Sequence, residues 1–138
     1  MEDNGTRAQM LGSRLREQYG NDYYIIATEF YSGQFYAWDV CDGHAYNFVV
    51  QNAALPDEFS YAYQFHSIGI PVFYLDLRYQ DYSEYGAGWL KGPMKSRIIG
   101  ATYCPEYDQY YYDTISLPDF YDGVIFFEEI KQTTQVSF

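Results

Sequence analysis

The chain has 138 residues and a mass of 16.2 kDa, which is the length of one domain rather than two. Its 19 Asp and Glu residues outnumber its 8 Lys and Arg residues, so the net charge is −11. That sign argues against binding to nucleic-acid phosphates or to anionic lipid headgroups. Hydrophobic residues make up 48% of the sequence and aromatic residues 22%, which excludes an acidic disordered chain and indicates a folded protein.

The first half of the chain predicts one helix followed by three strands. A Thr-x-x-Gln capping box at Thr6 and an apolar stripe with helical spacing predict a helix over residues 7–19, which Gly20 terminates. A short polar break at Ser32-Gly33 is expected to separate the first two strands. The three predicted strands are residues 23–27, 34–40 and 46–50.

The second half predicts another helix, a long loop and three more strands. Pro56 followed by two acidic residues is typical of a helix start, and Gly69 marks its end. Residues 79–95 hold three glycines, a proline and several charges, and therefore predict a loop. The strands predicted in this half are residues 71–77, 97–103 and 123–127.

This alternation of helices and apolar strands predicts an α/β fold with a mixed or mostly parallel sheet. Strands with continuous apolar runs are typical of a sheet that helices cover on both faces, yet only two clear helices serve five or six strands. Either some strands are antiparallel with one wet face, or the sheet packs against further protein. No boundary divides the chain, so residues 1–138 are interpreted as a single, partial domain.

Two histidines are the first candidates for chemistry. His44 lies in a polar turn with Asp42 nearby, and it is interpreted as an exposed turn histidine rather than a base. His66 lies on the apolar stripe of the second predicted helix, where a histidine at the edge of the core with one hydrogen bond is expected. Of the four possible zinc ligands, only Cys41 and His44 have useful spacing, so the sequence does not predict a zinc site.

The two cysteines, Cys41 and Cys104, do not form a disulfide framework. The sequence shows no basic start followed by the apolar run of a secretory leader, and no apolar run long enough to span a bilayer. We therefore expect a cytoplasmic protein without a membrane partner, whose cysteines are reduced thiols, with a single bridge as the alternative.

No catalytic motif emerges from the residues themselves. The chain contains no nucleophile elbow and no phosphate-binding loop, and Gly86-Ala87-Gly88 lacks the strand-to-helix setting of a dinucleotide site. The tyrosines of residues 107–112 are able to stack on a sugar or macrocycle, although such runs are more often surface connections. On this basis the sequence predicts no catalytic residue, no metal and no cofactor.

Short motifs do recur in a familiar order along nearly the whole chain, among them Leu75-Asp76-Leu77-Arg78. Their order and spacing resemble the C-terminal part of the erythromycin esterase family. Each motif is weakly specific, and it is the shared order that gives the resemblance its weight. The matching positions are residues 12–17, 19–20, 22–24, 30–33, 35, 69, 71, 73–78, 97–101, 103, 105–106 and 121–128.

The resemblance implies a hydrolase that opens macrolide lactones, an activity linked to antibiotic resistance, or a relative that cleaves other esters. Family members are thought to activate water with a histidine base, without a metal or organic cofactor. Their catalytic histidines and glutamates lie ahead of the matched region, and the His-Asn-x-His stretch expected before the first helix is missing from this sequence. No catalytic residue is therefore transferred, and we expect the chain alone to be an inactive C-terminal portion.

In a larger parent hydrolase this portion would complete the sheet and wall one side of the substrate cleft. The partners expected are then a macrolide or another ester, the N-terminal catalytic region, and further copies of the chain through an exposed sheet edge. The alternative is a stand-alone acidic, aromatic-rich binding module without catalysis. Residues near predicted strand ends are candidates for the cleft: Glu29, Tyr31, Ser32, Gly33, Arg78 and Glu106.

Overall fold

The computed structural model describes residues 11–43, 47–78, 81–82 and 86–134. The first predicted helix is present as α1, Leu11–Tyr19, and its predicted capping box lies outside the described residues. Gly20 ends α1 with a φ of +56°, a conformation that glycine adopts at no steric cost. The predicted apolar stripe is not buried, because α1 contains no buried residue and Leu11 is 72% exposed.

Within the described residues, two more helices and seven strands follow α1. The helices are α2, Tyr61–Ser67, and α3, Leu117–Phe120. Short 3-10 segments span Gly20–Asp22, Gly88–Lys91 and Pro105–Tyr110, the last of them kinked at Tyr107. The strands are β1 Ile26–Asp39, β2 Asn47–Asn52, β3 Val72–Asp76, β4 Met94–Arg97, β5 Thr102–Tyr103, β6 Tyr112–Ile115 and β7 Gly123–Ile130.

The main sheet has the strand order β2–β1–β7–β3, and β5 also pairs with β1. The β1–β7 and β1–β5 pairs are parallel, whereas β1–β2 and β3–β7 are antiparallel. Strands β4 and β6 form a separate antiparallel pair. The predicted α/β fold with a mixed sheet and few helices is confirmed.

Strand β1 is continuous across Ser32-Gly33, so the predicted break there is wrong. Its first half pairs with β7 as far as Gly33↔Ile130, and its second half pairs with β2 from Gln34↔Asn52 onward. Gly33 has a φ of +128°, which only glycine adopts readily. The glycine marks the point where the strand changes partners.

The core lies on one face of the sheet, which we call the inner face. Helix α2 packs there, and the ring of Phe65 lies 5.4 Å from that of Phe73 and 5.7 Å from that of Phe126. The buried Tyr61 hydroxyl lies within hydrogen-bond distance of two carbonyl oxygens, 3.0 Å from that of Ile115 and 3.2 Å from that of Leu90, and this ties α2 to the chain around the β4–β6 pair. One helix therefore joins both sheets.

The second helix begins later than its proline predicts. Ser60 caps α2 by accepting a hydrogen bond from the Tyr63 N–H, so the helix starts at Tyr61 and not at Pro56. The predicted strand over residues 97–103 is also wrong. Its two ends belong to different strands, β4 and β5, which pair with different partners. Strand β6 and helix α3 were not predicted, since each has only four residues.

The opposite face of the sheet, which we call the outer face, is apolar and exposed. The β1–β7–β3 register places Ile26 beside Gly123, and Tyr74 beside Ile125. Val72 is 58% exposed, and Ile26 and Tyr74 are about half exposed. The apolar runs predicted strands covered on both faces, but among the described residues only the inner face is covered.

Cys41 and Cys104 form a disulfide, so the expectation of reduced thiols is wrong and the alternative of a single bridge is correct. The register explains the pairing. Asp39 on β1 pairs with Tyr103 on β5, and the cysteines follow shortly after these residues, with their Cα atoms 5.0 Å apart. The Cys104 side chain is fully buried. Because both thiols are in the disulfide, two of the four candidate zinc ligands cannot bind a metal ion.

Candidate functional site

A histidine–carboxylate pair lies near the carboxyl end of β7, beside the middle of the parallel strand β1. His66, in the last turn of α2, places Nδ1 2.7 Å from Oε1 of Glu128 on β7. The ring of Tyr31, on the neighbouring strand β1, stacks on the imidazole at 3.8 Å between centroids and 7° between planes. A groove of about 160 Å³ opens beside the pair, and Gly69 and Pro71 complete its wall.

This geometry confirms the expected hydrogen-bonded histidine at the edge of the core. When a carboxylate accepts a hydrogen bond from Nδ1–H, it favours the tautomer whose basic lone pair is on Nε2. Nε2 of His66 has no hydrogen-bond partner within the part of the chain that the structure describes. Glu128 thus orients His66 as a carboxylate orients a general base. No serine or cysteine of the described residues, however, hydrogen-bonds to His66 as a nucleophile.

Of the predicted cleft candidates on β1, only Tyr31 contacts this pair through its side chain among the described residues. Strand β1 contains Glu29, Tyr31, Ser32 and Gly33, which were predicted to lie near strand ends. The Ser32 hydroxyl donates to the backbone carbonyl of Glu128 at 3.1 Å, which fixes β1 against β7. Tyr31 is therefore the candidate whose side chain reaches the groove histidine.

Glu29 is buried on the inner face and is 1% exposed. The Ser96 hydroxyl donates to its Oε1 at 2.5 Å, while Oε2 has no protein partner among the described residues. Burial raises the pKa of this carboxyl from 4.5 to about 7, and the Ser96 hydrogen bond and the Arg97 charge only partly oppose that rise. Near neutral pH the carboxyl is therefore close to half protonated.

Arg97 follows Ser96, and its buried guanidinium packs against two aromatic rings. Its guanidinium carbon lies 4.8 Å from the Phe30 ring centroid and 5.2 Å from that of Tyr112. Nη2 donates to the Ala54 carbonyl oxygen at 2.9 Å, and Nη1 lies 3.6 Å from the Asp108 carboxylate. These contacts hold the β4–β6 pair against β1, which is a structural role.

Tyr103, at the end of β5, contacts two of the same residues as Arg97, namely Ala54 and Asp108. Its hydroxyl donates to the Asp108 carboxylate at 2.6 Å and accepts from the Ala54 N–H at 3.0 Å. Burial is the main cause that raises the pKa of Tyr103 to about 12. The phenol therefore stays neutral at physiological pH and serves as a fixed hydrogen-bonding group.

We expect Glu29→Gln to remove a pH dependence of folding. Between about pH 4.5 and 7 the native state keeps a proton that the unfolded chain has released. The free energy of unfolding of the wild type should therefore fall by about 3 kcal/mol as pH rises through this interval. Gln stays neutral and still accepts from Ser96, so the variant should lack this decline in urea unfolding at pH 5 and 8.

The exposed Glu106→Gln serves as the matched control, since it removes a carboxylate from the surface of the Pro105–Tyr110 turn. It should follow the wild-type pH dependence. If the free energies of unfolding of the wild type and Glu29→Gln changed equally with pH, the buried carboxyl would not be the cause of the pH dependence.

Arg78 lies at the opposite end of the sheet from the histidine–carboxylate pair. It follows β3 and donates from Nε and Nη2 to the Asp76 carboxylate, at 3.0 and 2.6 Å, and its guanidinium carbon lies 4.7 Å from the Tyr24 ring centroid. Hydrogen bonds from Arg78 lower the pKa of Asp76 to about 2. Arg78 therefore forms its ion pair with Asp76, and the other predicted cleft residue, Glu106, is exposed.

Arg78 also lines a cleft of about 630 Å³, which is larger than the groove beside His66. Residues from the β3 end, the Gly88–Lys91 turn and α3 form its walls. The structure thus separates Arg78 from Tyr31, Ser32 and Gly33, which were predicted to share one cleft.

Sequence reasoning did not identify Glu128, Ser96 or Arg97. Glu128 follows the apolar run of β7 directly, and a carboxylate at such a strand end was an available signal. Ser96 and Arg97 lay beside the predicted loop, so their burial was not predictable from pattern.

Within the described residues, no group of three or more His, Cys, Asp and Glu side chains is arranged to hold a metal ion. His44 lies outside these residues. None of the helices of the described segments is long and apolar enough to cross a membrane.

A mixed sheet whose inner face is covered by a helix defines an α/β protein. The sequence model of the erythromycin esterase family matches residues 1–130, so the chain belongs to that family. The comparison with curated proteins found no match.

Two solved structures are similar to this chain. One is a protein of Bacillus cereus, 25% identical with a TM-score of 0.68, and the match covers 87% of this chain and 28% of that one. The other is a succinoglycan biosynthesis protein, 19% identical with a TM-score of 0.70, with coverages of 87% and 27%. The chain thus spans less than a third of the length of either protein, and the second likeness concerns the fold alone.

Proposed function

We propose that the chain forms the C-terminal portion of a larger erythromycin-esterase-like hydrolase. In that parent a histidine-activated water hydrolyses a macrolide lactone or a related ester, with antibiotic resistance as the consequence. The catalytic histidines and glutamates belong to the remainder of the parent, and this portion completes the sheet and walls the cleft. By itself the chain is inactive toward such esters.

The apolar outer face of the sheet is the observation that carries this proposal. Val72 is 58% exposed there, with Ile26 and Tyr74 about half exposed on β1 and β3. Exposed apolar surface that spans several strands of one sheet is typical of a face that other protein covers. The remaining length of the similar structures, of which this chain covers 27 and 28%, supplies a suitable cover.

The runner-up is a stand-alone acidic binding module. An aromatic cluster on β1 and β2 favours it, since the Phe48 ring stacks on Tyr36 at 5.3 Å and tilts against Trp38 at 5.4 Å. Phe48 and Trp38 are both exposed. Such a surface has the composition of a protein interface.

A cytoplasmic location remains a prediction. The disulfide weighs against it, because disulfides persist chiefly in oxidising compartments.

The first experiment is the intact mass of the native polypeptide, captured from its source cells with an antibody to this segment. The proposal predicts a species several-fold heavier than 16.2 kDa, which matches the coverage of the similar structures. A species at 16.2 kDa would favour the binding module instead. In parallel, the purified 138-residue chain should leave erythromycin without a water-added product, and clear turnover would contradict its expected inactivity.

A second measurement tests the outer face itself. The purified chain should self-associate in sedimentation experiments, and Val72→Lys should shift it toward the monomer, because a charge at this site opposes burial. Ile68→Lys is the matched control, since Ile68 is also about half exposed but follows α2. A wild-type chain that stays monomeric at high concentration would favour the module.

A further inference from the structure

The cleft of about 630 Å³ at the end of β3 has the dimensions of a small-molecule site. Leu77, Tyr82 and Pro118 supply apolar wall, and Leu77 and Tyr82 are themselves almost fully buried. The Tyr82 hydroxyl donates to the Leu77 carbonyl oxygen, which fixes the ring in the wall. This part of the cleft suits the body of an apolar ligand.

Two of the chain's eight basic residues, Arg78 and Lys91, line the same cleft, although the net charge of the protein is −11. The charge of Arg78 is compensated by Asp76. The Lys91 ammonium lies 5.8 Å from the Tyr82 ring centroid, and within the described residues it forms no ion pair. Lys91 is therefore the cation best placed to receive an anion from solvent.

Ser116 adds a hydroxyl to this cleft. It precedes α3, where serine usually hydrogen-bonds to the helix backbone, but its side chain makes no capping bond. Since this hydroxyl makes no hydrogen bond to another described residue, it can donate to a ligand oxygen. A charge-assisted contact from an ammonium together with a hydroxyl donor suits a carboxylate.

We propose that this cleft binds a small organic monocarboxylate. The carboxylate contacts the Lys91 ammonium and the Ser116 hydroxyl, and the apolar body lies against Tyr82 and Pro118. Asp119 lies in the same wall and repels a second negative charge, so dicarboxylates are disfavoured. The inference rests on this cleft alone and is independent of the proposed function.

Benzoate is the probe for the test, titrated into the full chain while backbone amide shifts are followed by NMR. The shift changes should cluster at the cleft residues. Lys91→Met should weaken benzoate binding at least tenfold, because Met nearly keeps the side-chain length and removes the charge. Lys131→Met, which removes an exposed charge beyond β7, should bind as the wild type does.

A second variant tests the sign of the charge. Asp119→Asn should tighten benzoate binding several-fold, since it removes the repulsive carboxylate. Benzyl alcohol, which has the same ring without the charge, should bind at least tenfold more weakly than benzoate. Equal binding of the two probes, equal effects of the two lysine variants, or no shift changes at the cleft would each overturn the proposal.

Discussion

Gly33→Ala is expected to destabilise the protein by about 4 kcal/mol, at the upper end of single substitutions. A Cβ at this position would lie 2.0 Å from the Ile130 carbonyl oxygen and 2.6 Å from the Ile130 nitrogen. Both atoms belong to the backbone of β7, so no side-chain rotation relieves the clash. The φ of +128° adds strain for any residue with a Cβ. Urea unfolding followed by circular dichroism measures the loss.

Gly69→Ala separates the clash from the backbone strain. Gly69 also has a positive φ, +77°, but a Cβ there meets no atom within 4 Å. Its replacement should cost only about 1–2 kcal/mol, the penalty of the left-handed conformation alone. If the two variants lost equal stability, the close approach of β1 to β7 at Gly33 would be refuted.

Gly33 also shows how far the sequence predicts this fold. The apolar runs around it correctly predicted strands, because β-forming residues are local signals. The glycine was interpreted as a break, yet it continues one strand past a change of partner, from β7 to β2. Which strands pair depends on contacts distant in sequence, and no local pattern encodes the β1–β7 register.

The short elements were missed for a different reason. Strand β6 and helix α3 have four residues each, too few for a hydrophobic period to be counted. For α2, the sequence predicted a start at Pro56, whereas the Ser60 side chain makes the capping bond.

The candidate site was only partly predictable. His66 was correctly expected to be a hydrogen-bonded histidine, since its place on the helix stripe is a local property. Its partner Glu128 is 62 residues away and is brought to it by packing of α2 on the inner face. The separation of Arg78 from Tyr31 likewise follows from β3 running antiparallel to β7, a direction that the sequence does not specify.

Loss of the Cys41–Cys104 disulfide is the second large effect that we expect. The bond joins cysteines 63 residues apart, and closing a loop of that length restricts the unfolded chain enough to stabilise the fold by about 4 kcal/mol. The double variant Cys41→Ala, Cys104→Ala should therefore lower the melting temperature by on the order of 15 °C. Differential scanning calorimetry at neutral pH measures the shift.

The same bond should protect one end of β1. Strand β5 has only two residues, and the disulfide holds its end against β1 just beyond the Asp39↔Tyr103 pair. The Trp38 N–H donates to the Ala101 carbonyl oxygen at 2.9 Å in this region, so its hydrogen exchange should accelerate in the double variant. The hydrogen exchange of the Val124 N–H, at the buried centre of the sheet, should change only as much as the global free energy of unfolding changes.

Reduction of the wild type supplies the control for the substitutions. Because Ala at the fully buried position 104 also leaves a small cavity, the wild type under a phosphine reductant isolates the contribution of the bond. The reduced wild type should show most of the loss in melting temperature, and the double variant should not respond to the reductant. Alkylation of two free thiols in the native, unreduced protein would contradict the disulfide and, with it, the expected shift.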